Sequence, residues 1–263
     1  MDLPTLLPEV VLIARRAGEV IEEIRRGAVE KTLKEDKSPV TLADTEADAL
    51  LRWKLADLLP AGWLSEETAD SGHRLKERLV WVVDPLDGTK EFIQGIPEFS
   101  VAIALVEDGQ PVLGVVHNPA AGETFWATKG GGAFRNGGPI EVEDTNRLLA
   151  SRSEIKRGEF TPFMDGWDVV HVGSIEYKLG LVAAGEGVTL SRGPKWEWDV
   201  CAGALIVAEA GGKATDVFGD PLQFNQPFPK VKGVLAGAPA THQRALAQIS
   251  KLGPSDRMQE LLA

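Results

Sequence analysis

The stretch RLVWVVDPLDGTKEFIQGIPEFSVAIALVEDGQPVLGVVHN, Arg78 to Asn118, holds three runs dense in Val, Ile and Leu. Two of them flank Glu107-Asp108-Gly109, a turn signal between β-rich segments, so this pair reads as a hairpin. The first run ends on Asp84-Pro85-Leu86-Asp87, with Gly88 and Thr89 directly behind. Pro85 fixes φ between the two aspartates, and a turn of this kind points both carboxylates and the Leu86 carbonyl at one place. Hard divalent cations such as Mg²⁺ take oxygen ligands of this sort. Gly88 and Thr89 then open a short helix, GTKEFIQG, whose unpaired N–H groups suit a phosphate. Metal on one side and phosphate on the other is a layout for phosphoryl transfer. The plainer alternative is an acidic β-turn that caps a helix.

Outward from this stretch, Val10, Ala14, Ala17, Ile21 and Ile24 recur at helical spacing before Gly27. TLADTEADALLRWKLADLLPAG is a second helix, capped by Thr41 or Asp44 and ended before Pro60. GETFWATKGGGAFRNGGP continues in short strands broken by glycine. The first part is therefore two helices on an antiparallel-rich sheet. From RLLASRS onward, strands alternate with helices of about ten residues, the pattern of a smaller α/β unit. We expect an N-terminal subdomain over 1–141, carrying most of the acidic motifs, and a C-terminal one over 142–263.

The 263 residues suffice for a substantial core, with 43% apolar and 25% charged residues. A net charge of −11 argues against a nucleic-acid polymer or an anionic membrane as partner. It also means that a phosphorylated substrate needs something positive beside it, and a divalent metal is the obvious candidate. The single cysteine, Cys201, excludes an intramolecular disulfide and reads as a buried thiol. The four histidines are scattered and read as surface or satisfied core residues. No apolar run reaches membrane-spanning length and the N-terminus lacks a signal pattern, so the expected location is the cytoplasm. Strands around GVVHNPAAGETFW, expected to be exposed, would support a homodimer.

Three further acidic positions stand apart from the central stretch: Asp44 after KEDKSPV, Glu66-Glu67 after AGWLS, and Asp199 in PKWEWDVCAGAL. Each alone reads as a helix cap or a solvated helix start. Together with WVVDPLDGT, and at these separations, they resemble the lithium-sensitive, magnesium-dependent phosphatases of the inositol monophosphatase superfamily. The resemblance runs from KEDKSPVTLAD to AEAGG, nearly the whole chain. It implies a layered αβαβα sandwich of two subdomains, α+β and α/β in character, with the site between them. It further implies two or three Mg²⁺ ions held by Glu66, Asp84, Asp87, Asp199 and the Leu86 carbonyl. Gly88 and Thr89 would bind phosphate through their amides. Thr89, hydrogen-bonded to Asp44, would orient the attacking water, and Glu67 would stand behind the ligands.

Behind the acidic motif, inositol monophosphatases usually read D-G-T-T-N-F, whereas this chain has Lys90-Glu91-Phe92. That version, with KEDKSPVTLAD, looks like the 3′(2′),5′-bisphosphate nucleotidase branch, which removes the 3′-phosphate of adenosine 3′,5′-bisphosphate. The branch's G-S-S-L-K-F segment is only partly matched by VGSIEYKLGLVAAGEG, where Ser174 and Lys178 are the candidate substrate contacts. The chain after it lacks the branch's acidic-plus-tyrosine pattern. A second phosphate needs a cation away from the metals. Lys34, Lys178, Arg192 and Lys195 are available, and Lys178 is preferred because its helix would fix it. The alternatives are hydrolysis of inositol 1-phosphate or of sugar phosphates including fructose 1,6-bisphosphate, and a non-catalytic phosphate sensor.

Overall fold

Odd and even residues of the first quoted run part company in the computed structural model: Trp81 and Val83 enter one core, Val80 and Val82 another. A strand with both faces covered has no need of polar alternation, which explains the unbroken apolar run. The structure describes residues 2–27, 31–33 and 39–262.

In chain order, helix α1 (Leu3–Arg25) is followed by the short antiparallel pair β1 (Lys31–Leu33) and β2 (Pro39–Thr41), then by α2 (Leu42–Leu58). Strands β3 (Gly62–Ser65) and β4 (Leu79–Asp87) precede the five-residue helix α3 (Thr89–Ile93). Strands β5 (Ser100–Glu107), β6 (Gln110–Asn118), β7 (Glu123–Thr128), β8 (Ala133–Arg135) and β9 (Gly138–Ile140) complete a seven-stranded sheet in sequential order. All neighbours in it are antiparallel except β3 and β4. Next come β10 (Arg147–Ala150), α4 (Arg152–Lys156), β11 (Asp168–His171), α5 (Ile175–Ala183), β12 (Val188–Ser191) and β13 (Lys195–Trp196). The chain ends with α6 (Cys201–Glu209), β14 (Lys213–Thr215), β15 (Lys230–Val231), β16 (Val234–Gly237), α7 (Pro239–Leu252) and α8 (Asp256–Leu262). The second sheet has the order β11-β10-β12-β16-β14, and the chain crosses to it between Ile140 and Arg147.

The layers follow from which residues are apolar. Helix α1 turns Val10, Ala14, Ala17 and Ile21 onto the Trp81/Val83 face, joined by Leu51 and Leu55 of α2. The Val80/Val82 face meets Leu179 and Val182 of α5 and Leu205 and Ile206 of α6. Those two helices also touch Leu149, Val234 and Ala236 of the second sheet, so they form a middle layer. A helix between two sheets must be apolar nearly all round, and residues 201–207 are all buried. Leu148, Val188, Leu190 and Leu235 face the other way, onto Ala245 and Ile249 of α7. The result is the layered αβαβα sandwich. Each large aliphatic side chain buried this way contributes roughly 1.5–3 kcal/mol. Among the described residues, no helix is long and apolar enough to cross a membrane.

Within GVVHNPAAGETFW the expected exposure fails for residues 114–118, which are buried because β6 lies between β5 and β7 with α1 and α6 on its two faces; Ala121 and Gly122 of the following turn are exposed.

His117, in β6, is 7% exposed; its Nδ1–H donates to the Glu123 carbonyl at 3.1 Å, and Thr124 Oγ1 lies 3.0 Å away. Burial first, and the nearby Arg15 charge second, hold its pKa down at about 4, from 6.5. The unfolded chain thus binds a proton at His117 that the folded chain refuses between those values. Stability is full above pH 6.5 and is lost as pH falls toward 4, by roughly 2–3 kcal/mol at pH 4.5. Urea midpoints at pH 7 and pH 4.5 should show this loss, and His117→Asn should lack that part of it.

Candidate active site

The acidic residues converge through strand register. Strand β3 runs parallel to β4 with Ser65 opposite Val83, so Glu66 falls beside Asp84, and its amide reaches the Val83 carbonyl at 3.4 Å. AGWLSEE is thus a strand end rather than the helix start its sequence suggests in isolation, because pairing with β4 outweighs its local signals. Asp48 of α2 secures the segment, accepting from Ser65 Oγ at 2.5 Å and Thr68 Oγ1 at 2.8 Å.

DPLD is likewise not a free turn. Strand β4 continues through Asp87, with Asp84 opposite Ala102 and Asp87 opposite Ser100. Three steps on β4 match two on β5, which defines a bulge with one extra residue. In a regular strand, residues three apart point to opposite faces. The bulge cancels that alternation, and Asp84, Leu86 and Asp87 all line one cleft. Pro85, which has no N–H for the ladder, suits the bulged position. The Leu86 amide donates to Asp84 Oδ1 at 3.0 Å and fixes that carboxylate.

Asp199 arrives on the 3₁₀ turn Glu197–Asp199 before α6, accepting from the Trp196 amide at 3.0 Å. One carboxylate oxygen each from Glu66, Asp84 and Asp199 lie within 4.8 Å of one another. Burial, and then the charges of Glu66, Asp87 and Asp199, push the Asp84 carboxyl well above the usual range. Burial also raises Asp199 to about 6, against the pull of Lys195. Carboxylates gathered so closely repel one another unless a cation shares them, and the all-oxygen set suits Mg²⁺.

Asp87 stands beside this trio. Its Oδ2 accepts from Ser174 Oγ at 2.6 Å and from the Glu176 amide at 2.7 Å. The Ser174 hydroxyl also accepts from the Tyr177 amide and pairs with Ser100, so it is fully engaged. Ser174, the candidate substrate contact, lines the cleft and also holds Asp87. Its φ of 54° is a strained value for a residue with a side chain, and it aims that hydroxyl. Glu176, which the sequence did not single out, reaches onward. Its carboxylate accepts from the Ala202 and Gly203 amides at the start of α6, three and four residues after Asp199. One residue thereby links Asp87 to the helix that carries the far side of the site.

Gly88 has φ +98°, and its amide and that of Thr89 are not spent on turn bonds among the described residues. Thr89 Oγ1 lies 3.0 Å from Asp44 Oδ1 and 3.2 Å from the Leu86 carbonyl. Asp44 is at once the capping-box partner of Thr41, through Oδ2, and the partner of Thr89, through Oδ1. Asp44 therefore caps α2 and bonds Thr89 at the same time. Glu67 is half-buried beside Ser65 and does not line the cleft. Lys34 lies outside the described residues.

Facing the acids, Lys178 and Lys195 line the same cleft, an open space of about 290 Å³, with Ser151 and Ser153. Lys178 is 1% exposed and projects from α5, whose Ile175, Leu179, Leu181 and Val182 are buried as expected. It lies within the cleft near Asp87 and Glu91. Between the two lysines sits Glu154, a buried carboxylate the sequence did not flag, which accepts from Ser151 Oγ at 2.6 Å and Ser191 Oγ at 2.5 Å. Burial opposes its ionisation, but Lys195, Lys178 and the two hydroxyls outweigh this and hold it at about 2. Burial lowers Lys178, whereas at Lys195 the charges of Glu154, Asp199 and Asp87 outweigh burial and raise it. Glu154 is thus a counter-charge for both ammonium groups, with Asp87 acting on both as well.

A layered sandwich with an acidic cleft at a sheet bulge defines a class, and that class is the phosphatases. The chain belongs to the inositol monophosphatase family, whose sequence model matches residues 3–253. It is 35% identical over 237 residues to the 3′(2′),5′-bisphosphate nucleotidase CysQ of Aggregatibacter actinomycetemcomitans, covering 84% of this chain and 88% of that protein. It is 33% identical over 242 residues to an inositol-1-monophosphatase of Mesorhizobium japonicum, covering 83% and 88%. Extragenic suppressor protein suhB from Bartonella henselae superposes with a TM-score of 0.82 at 29% identity, over 94% of this chain and 99% of that one.

Proposed function

We propose that the chain is a Mg²⁺-dependent phosphomonoesterase that hydrolyses the 3′-phosphate of adenosine 3′,5′-bisphosphate. The observation that carries the reading is one cleft lined by the carboxylates and also by two lysines, Lys178 and Lys195, with the buried Glu154 as a counter-charge. A bisphosphate has use for these extra cations as well as for the carboxylate-held metal, whereas a monophosphate has less use for them. The nucleotidase relative at 35% identity supports the same choice.

In this reading Glu66, Asp84, Asp87, Asp199 and the Leu86 carbonyl hold two or three Mg²⁺ ions. Bound there, Mg²⁺ would neutralise phosphate charge and favour ionisation of the attacking water. The residues of the chain do the rest. The Gly88 and Thr89 amides receive phosphate oxygens, and the Asp44–Thr89 pair accepts and directs the water's proton. Glu67 stands behind Glu66 and orders the solvent there. Ser174 and the Glu176 amide keep Asp87 aimed at the cleft. Lys178 meets the second phosphate. Residues 1–141 and 142–263 are the two subdomains that close on the substrate from either side.

Lys178→Ala should raise KM for adenosine 3′,5′-bisphosphate about tenfold or more, the scale of a charge-assisted bond, and raise KM for a sugar monophosphate much less. Equal changes would remove Lys178 from discrimination. The decisive comparison is kcat/KM with Mg²⁺ on adenosine 3′,5′-bisphosphate, inositol 1-phosphate and fructose 1,6-bisphosphate. The reading requires the first to be preferred strongly. Preference for inositol 1-phosphate would favour the activity named for the M. japonicum relative, and silence on all three would leave only phosphate sensing.

A further inference from the structure

Arg74 is 2% exposed and does not line the cleft. A guanidinium this deep is costly unless its donors are matched. It stands in the 3₁₀ turn His73–Lys76, between β3 and β4. Its Nε and Nη2 donate to Asp70 Oδ2 at 3.1 and 2.9 Å. Nη1 donates to Asn225 Oδ1 at 2.6 Å, and Nη2 also to the Gln226 carbonyl at 2.9 Å. Asn225 Nδ2 returns a bond to the Arg74 carbonyl at 3.4 Å.

Residues 225 and 226 are gripped from their other side by Glu197, which is fully buried. Its carboxylate accepts from the Asn225 amide at 2.7 Å and from the Gln226 amide at 2.8 Å. The Glu197 amide donates to the Pro229 carbonyl at 3.0 Å, and Trp196 pairs with Lys230 between β13 and β15. The turn Glu197–Asp199 is thereby fixed to this segment, and Asp199 is its last residue. At the opposite end, Arg74 closes the loop that leaves β3 at Glu66. A methyl group on Gly62 would stand 3.1 Å from Arg74 Cα, so the loop folds back onto the strand that precedes Glu66. Asp84 sits on β4 itself, whereas Glu66 and Asp199 come from segments distant in sequence. Arg74, Asn225 and Glu197 join those two segments.

We propose that Arg74 is a positioning residue for metal binding: with Asn225 and Glu197 it clamps the segments that carry Glu66 and Asp199 at the spacing a shared Mg²⁺ requires. This rests on the reading of the acidic cluster as the Mg²⁺ site. Carboxylates brought together without a cation repel one another. The clamp holds them close before the ion arrives, so binding does not have to order them. Arginine suits the task because its rigid fork serves several acceptors in set directions, which a lysine ammonium does not.

The test titrates Mg²⁺ into chelator-stripped full-length protein by calorimetry, beside phosphate release at rising Mg²⁺. Asn225→Gly isolates the clamp. Glycine tolerates the φ of 55° and keeps the amide that Glu197 holds, while the acceptor for Arg74 is lost. The Kd for Mg²⁺ should rise about tenfold, the scale of one charge-assisted hydrogen bond. The Mg²⁺ needed for half-maximal release should rise in parallel, with kcat near wild type once Mg²⁺ saturates. Asn225→Asp, which returns an acceptor to Arg74, should restore most of the affinity. Ile249→Val, in the core under α7, should lower the urea midpoint and leave the Mg²⁺ Kd unchanged. An unchanged Kd in Asn225→Gly, or an equal rise in Ile249→Val, would overturn the role of Arg74 and leave the proposed activity standing. Wild-type protein that binds no Mg²⁺ would overturn both.

Discussion

Asp84→Asn is expected to reduce Mg²⁺-dependent phosphate release on the order of a thousandfold or more, while making the metal-free protein no less stable. The two effects have one cause. Asp84 is buried and surrounded by Glu66, Asp87 and Asp199, so its ionised form is disfavoured without a cation. Its folded pKa lies above the unfolded value. Metal-free stability is therefore greatest below the unfolded pKa and declines as pH rises toward the folded one. Asparagine keeps the acceptor for the Leu86 amide and removes one repelling charge. It also removes a ligand, and a lost metal contact is worth several kcal/mol in the transition state. Thermal unfolding of metal-stripped protein, with and without added Mg²⁺, reads the second effect. The wild type should gain stability from Mg²⁺, and the variant should gain much less. A variant that turns over near the wild-type rate would remove Asp84 from the chemistry.

Gly88→Ala should destabilise the fold by roughly 2–4 kcal/mol and lower kcat on the order of a hundredfold. Two constraints meet at this residue. Its φ of +98° is in a region that side chains avoid, and an added methyl would lie 2.9 Å from the Glu98 carbonyl oxygen and 3.2 Å from Phe99 Cα. Neither contact is with a flexible side chain, so the backbone at Thr89 must move. Thr89 carries the hydroxyl bonded to Asp44 and an amide assigned to phosphate. Urea denaturation gives the stability term and steady-state kinetics the other. A variant with normal stability and normal kcat would mean that the backbone there is not constrained as described.

What the sequence made legible was periodic or local. The apolar spacing in α1 and the hairpin at Glu107–Gly109 need only neighbouring residues to be recognised, and the structure contains both. The acidic motifs could be named, but the way they meet depends on distant partners. The bulge at DPLD exists because β5 offers Ala102 and Ser100 as partners to Asp84 and Asp87, and nothing within the motif records that register. Glu66 meets Asp84 through the parallel pairing of β3, a strand too short to show a period. Asp48 had a faint signal, four residues beyond Asp44 and hence on the same helix face. Ser174 could be named, but its bond to Asp87 could not, since that partner is 87 residues away. Glu154 matters through its charge beside Lys178 and Lys195, which a linear pattern does not display.

The bulged strand end as a metal site for phosphate hydrolysis is the centre of this account. The measurement that tests it most directly is phosphate release from adenosine 3′,5′-bisphosphate as Mg²⁺ is titrated into chelator-stripped protein. The account predicts no release without metal and a saturable rise as Mg²⁺ is added. Undiminished release from the stripped protein would contradict it.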